Sequence, residues 1–111
     1  MISRMVSIVS LVLLCSGALP SPGQSSATQS PVVSTYRSQC AMCHGPDGRA
    51  NTPMGKIIKV PAFQSQNLVS ATDASLINST TNGNGMMGAY GNSLSTAQIA
   101  QLVAYIRTLQ Q

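Results

Sequence analysis

Five consecutive residues of this 111-residue chain could do chemistry together: Cys40-Ala41-Met42-Cys43-His44. The C-x-x-C-H spacing reads as a site of covalent c-type haem attachment. Two thiolates at that spacing can add to the two vinyl groups of one porphyrin, giving two thioethers. His44, the next residue, is then held beneath the ring and can offer an imidazole nitrogen to iron. Other uses of the same residues fit less well. A thioredoxin-like C-x-x-C belongs in a strand–helix–strand setting, and no segment of the chain alternates with period two. A structural zinc site wants four ligands. With Cys15 in the leader described below, no third Cys and no second His remain.

Six-coordinate haem iron needs a second axial ligand, and a single His in the chain excludes a bis-His pair. Methionine is the natural candidate. The methionines beyond the leader are Met42, Met54, Met86 and Met87. Met42 lies inside the attachment motif and Met54 follows closely after it. Met86 and Met87 sit in the run Asn82-Gly83-Asn84-Gly85-Met86-Met87-Gly88. Its glycines let the backbone come close to a porphyrin edge.

These residues need helices to hold them, and three helical segments are legible. The first starts near Ser30, with Pro31 where a missing N–H costs nothing. Val33, Tyr36, Cys40 and Cys43 fall on one of its faces, and Gly45-Pro46 ends it. The second spans about Thr72 to Thr80, capped by Thr72, with Asp73 in the first turn and Asn82-Gly83 as its stop. The third spans about Ser95 to Leu109. Ser95 and Gln98 form a capping box, Leu94 and Ile99 fit a hydrophobic staple, and Ile99, Leu102, Val103, Ile106 and Leu109 make an apolar stripe. The fold class is all-α.

Ahead of these segments, residues 1–27 read as a signal peptide and flexible leader. Arg4 gives a positive start, an apolar stretch runs from Met5 to Cys15, and small residues offer cleavage after 18, 23 or 27. The stretch is too short and too interrupted for a span of about 20 apolar residues. Leu14 before Cys15 argues against lipidation. Residues 28–111 are then the folded domain, periplasmic or secreted, with no stable membrane insertion after cleavage. Outside the cytoplasm, free thiols oxidise unless something claims them; haem attachment would claim Cys40 and Cys43.

Composition narrows the classes further. Charged residues are 7%, far below the roughly 25% of an average domain, which excludes a charged disordered tail. A net charge of +4 is thin for a nucleic-acid binder, and no aromatic stripe accompanies the bases. Aromatics are 4%, with one Phe and no Trp. A domain this small is marginal for building a core alone, so a large apolar group not encoded as a side chain would fill the deficit. Arg49, Lys56 and Lys59 cluster after the motif. They could steer an acidic partner, pair with a haem propionate, or simply be solvated.

Taken in order, the motifs resemble those of class I cytochromes c over nearly all of residues 28–111. Tyr36 precedes the motif by four residues. Cys40-Ala41-Met42-Cys43-His44-Gly45-Pro46-Asp47-Gly48-Arg49 resembles the family's CxxCHG-x-DG run. Pro53 resembles the loop proline whose carbonyl accepts the histidine N–H, a bond that would fix the ring. Met87-Gly88-Ala89-Tyr90 resembles M-P-A-[FY], with Gly88 in place of the proline, and that register makes Met87 the ligand and Met86 the alternative. The resemblance implies three to four helices around one covalent haem c, with iron held by His44 and Met87 and with Tyr36 and Tyr105 near a crossing of the first and last helices. It also implies a monomer that passes one electron between a redox protein donor and an acceptor, rather than an enzyme. Alternatives are a haem-c subunit of a larger oxidoreductase complex and, less favoured because the only His is spent, a haem peroxidase.

Overall fold

The computed structural model describes residues 17–18 and 29–111. Apart from residues 17–18, the signal segment and leader expected over 1–27 lie outside the described residues. Among the described residues six helices follow one another: α1 (Pro31–Gln39), α2 (Ala41–His44), α3 (Pro53–Ile57), α4 (Gln66–Val69), α5 (Asp73–Asn82) and α6 (Thr96–Leu109). Among the described residues there is no strand, only an isolated antiparallel bridge between Asn84 and Met87. The all-α expectation holds. The number of helices exceeds the three to four expected, because α2, α3 and α4 are single turns.

The first expected helix is two. Pro31 opens α1, and the Ser30 carbonyl accepts from Val33 N at 2.9 Å and Ser34 N at 3.1 Å, although the Ser30 side chain makes no cap bond. Cys40 breaks the run with φ −120° and ψ −36°. The chain then makes one turn, α2, and stops at Gly45 with φ +77°, a conformation open to glycine at no steric cost.

Thr52 caps α3 by accepting from Gly55 N at 2.9 Å. That helix ends in a Schellman turn, with Val60 N donating back to Gly55 O at 2.8 Å. The left-handed position of such a turn usually holds glycine; here it holds Lys59, with φ +55°. A side chain in that conformation costs about 1–2 kcal/mol.

The two long helices follow their caps. Thr72 accepts from Ser75 N at 3.1 Å to start α5, which runs two residues beyond the expected end. Both arms of the Ser95–Gln98 capping box are present at the start of α6.

The core lies where α6 meets α1 and α5. Ile99, Leu102 and Val103 are at most 2% exposed, each worth about 1.5–3 kcal/mol of burial. Tyr36 is fully buried and meets Tyr105 edge-on, with ring centroids 5.1 Å apart, so the expected α1–α6 crossing is present. Its hydroxyl donates to Gly45 O at 2.6 Å, tying α1 to the end of the attachment motif.

Arg107 in the last turn of α6 binds Asp73 at 2.8 Å and donates to the carbonyls of Leu68, Val69 and Ala71. Gln110 donates to Phe63 O at 2.9 Å. These bonds hold the segment from Phe63 through α4 against the C-terminus.

Gly55 marks the tightest approach near the motif. A Cβ there would lie 2.6 Å from Ala50 O and equally inside contact with Cys43 O. Gly55→Ala is therefore expected to push α3 off α2 and to cost about 2–3 kcal/mol, read as a lower denaturation midpoint with unchanged slope.

Candidate functional site

One cavity of about 430 Å³ opens beside the motif, within the range of small-molecule and cofactor sites. Its wall is made first by Cys40, Cys43 and His44, and also by Asn84, Met86 and Met87 and by Leu68, Leu76 and Thr80. Residues 40–44 and the glycine-rich loop, which begins 38 residues after His44, thus face the same space.

Local backbone explains the first group. The break at Cys40 and the single turn of α2 present Cys40, Cys43 and His44 to the cavity together. Both cysteines are half-buried free thiols, with no disulfide between them. Burial, with Cys43 as a neighbour, pushes the Cys40 thiol up to about 11, so it is protonated at neutral pH. Burial also lowers the pKa of His44. The imidazole is then neutral at pH 7 and keeps a lone pair for a metal. Its ring lies against Phe63, with centroids 4.5 Å apart and planes within 14°.

The loop that carries Met86 and Met87 is shaped by its glycines. Gly83 has φ +82°, and a Cβ there would come within 2.7 Å of Met87 O. Asn84 and Met87 exchange two backbone hydrogen bonds of 3.0 Å. This pins Met87, which is half-buried, while Met86 at the turn tip is 78% exposed. Tyr90 anchors the end of the loop. Its N–H donates to Thr80 O, and its hydroxyl donates to Gln39 O at 3.0 Å, next to Cys40.

Pro53 makes no hydrogen bond to Nδ1 of His44. It is the exposed first residue of α3 and is absent from the cavity wall. The reason is the Thr52 cap, which draws Pro53 into a helix of its own. Pro61, which follows that helix, lines the cavity instead. Nδ1 of His44 is buried with no hydrogen-bond partner. Phe63 was also missed as a site residue: it is buried, lines the cavity and packs on His44. Its only sequence signal was being the sole Phe in an aromatic-poor chain.

The residues present suit a haem. Two unpaired thiols, a neutral imidazole with an unpartnered ring nitrogen and a thioether share one largely apolar cavity. Of the four aromatics of the chain, Phe63 and Tyr90 line it, Tyr36 packs behind Phe63 with ring centroids 6.5 Å apart, and Tyr105 packs on Tyr36.

Comparison with known proteins agrees. The model of the family described as "Cytochrome C oxidase, cbb3-type, subunit III" matches residues 27–106. Among solved structures, the chain is similar to one titled "KustC0563 c-type cytochrome", with a TM-score of 0.65 and 23% identity. The match covers 71% of this chain and 96% of that one. At that identity the likeness speaks for the fold. No curated protein matches.

Proposed function

Since the chain belongs to the family of cbb3-type cytochrome c oxidase subunit III domains, and is thus a small c-type cytochrome with covalent haem c and iron, we propose that it is an exported carrier passing one electron at a time between a donor and an acceptor protein. The bound haem iron supplies a one-electron couple. The rest is the work of the chain's own residues. Cys40 and Cys43 would retain the group through two thioethers, which matters for a protein released into a dilute compartment. His44 and Met87 are the residues that would hold the iron. A soft thioether paired with an imidazole would favour the ferrous state and raise the potential above that of a bis-His pair.

The single observation that carries this reading is the placement of Met87 on the same cavity as Cys40, Cys43 and His44. Were His44 and Met87 both to hold the iron, no coordination site would be left for substrate, and the chain has no second histidine to act on one. That arrangement suits electron transfer better than peroxide chemistry.

The leader expected over 1–27 would take the domain of residues 28–111 to the periplasm or outside the cell. No helix among the described residues is long and apolar enough to cross a membrane. The family's own description favours a second reading, a subunit of a larger oxidase complex. Co-purification of the tagged chain with an integral membrane oxidase would favour that subunit reading; recovery as a free monomer would favour the carrier.

Redox titration tests the one-electron role. One equivalent of ferricyanide per haem should oxidise the ascorbate-reduced protein completely, and the resting protein should not turn over peroxide. A five-coordinate resting state with rapid peroxide turnover would overturn the reading.

A further inference from the structure

Of the described residues that line the cavity, Lys59 alone carries a full charge. The other lining groups are apolar side chains, amides, hydroxyls, thiols and the neutral imidazole of His44. Lys59 is also the residue held at φ +55° in the Schellman turn after α3, where glycine would sit without strain. The backbone thus accepts an unfavourable conformation at the one position that brings a cation to the cavity. Residues in such conformations concentrate at functional sites. Lys56, one turn earlier, and Arg49 lie off the cavity wall. Arg49 instead approaches Asp47 at 3.8 Å, and Arg107 is taken by Asp73.

A haem brings two carboxylates into this otherwise uncharged site. We propose that Lys59 is the counter-ion for a haem propionate and a positioning residue for the potential of the iron. The inference rests on the haem-c reading above. A cation at the wall offsets the carboxylate's negative charge, and reduction adds a further electron to the same region. Both favour the reduced form, so Lys59 raises the potential. Lys59 is exposed, so its effect is screened by salt.

Three variants separate charge from backbone. Lys59→Gly removes the charge and relieves the strain; Lys59→Arg keeps the charge; Lys59→Glu inverts it. Potentials are measured by spectroelectrochemistry at low and high ionic strength, with melting temperature and the optical bands recorded on the same samples. The expected result is a lower potential for Lys59→Gly, lower again for Lys59→Glu, and wild-type values for Lys59→Arg. The gap from wild type should shrink at high salt, and Lys59→Gly should melt no lower than wild type. An unmoved potential in Lys59→Gly, or a fall of equal size at both salt concentrations, overturns the proposal. If the bands are intact and the potential unmoved, the counter-ion role is rejected and the electron-carrier reading stands. A wild type without covalent haem rejects both.

Discussion

Replacing Cys40 and Cys43 together by serine is expected to abolish covalent haem and, with it, the fold. Acid-acetone extraction should remove all haem from the variant and none from the wild type. The stability loss follows from the cavity: a cleft of about 430 Å³ lined largely by apolar groups would be left to water, in a domain small enough to be marginal without the group that fills it. The side chains that remain cannot close the gap, because the helices are set by the α1–α6 crossing and by the Arg107 and Gln110 contacts to the opposite segment. The variant should therefore melt without a cooperative transition. A cooperative melt near the wild-type temperature would mean that the protein core suffices without the haem.

The two adjacent methionines should behave differently. Met87→Ala is expected to abolish the methionine–iron charge-transfer band and to open the iron to imidazole or carbon monoxide, with a fall in potential. Met86→Ala should leave all three readouts at wild-type values. The contrast comes from the turn. Met87 is bonded through its backbone to Asn84 on both sides and is half-buried, whereas Met86 stands at the tip and is 78% exposed. Gly88, in the place where the resembled family has proline, makes no steric demand: a Cβ there would meet nothing within 4 Å. Rigidity of the loop comes instead from the Asn84–Met87 bridge and from the Tyr90 bond to Gln39. The reverse pattern, with the band lost in Met86→Ala and kept in Met87→Ala, would move the ligand by one residue.

Much of this was legible in the amino-acid sequence because the signals were local. The Ser95–Gln98 box and the Thr72 cap name helix starts within a residue, since each is a bond between groups three positions apart. The Ile99, Leu102 and Val103 stripe named the buried face of α6. The C-x-x-C-H run carried its own chemistry. What escaped was set by tertiary contacts. The break at Cys40 is invisible in a run whose apolar spacing is continuous, and α3 and α4 are too short to show periodicity. The placement of the prolines has the same origin. Pro53 and Pro61 both follow His44 at a reasonable distance, and the Thr52-capped turn, which opens at Pro53 and closes before Pro61, decides which one reaches the cavity. Phe63, in a connecting segment, gave no pattern at all, yet it packs on His44. The scarcity of aromatics is eased here, because two of the four, Phe63 and Tyr90, line the space a porphyrin would fill.

Optical spectroscopy of the purified chain, oxidised and reduced, tests the central claim most directly. The claim predicts low-spin bands in both states and a methionine–iron charge-transfer band when oxidised. After unfolding in alkaline pyridine, it predicts a haemochrome that stays with the polypeptide and absorbs as a haem whose two vinyl groups have become thioethers. Haem that separates from the unfolded chain, or a high-spin five-coordinate spectrum in the native protein, would contradict it.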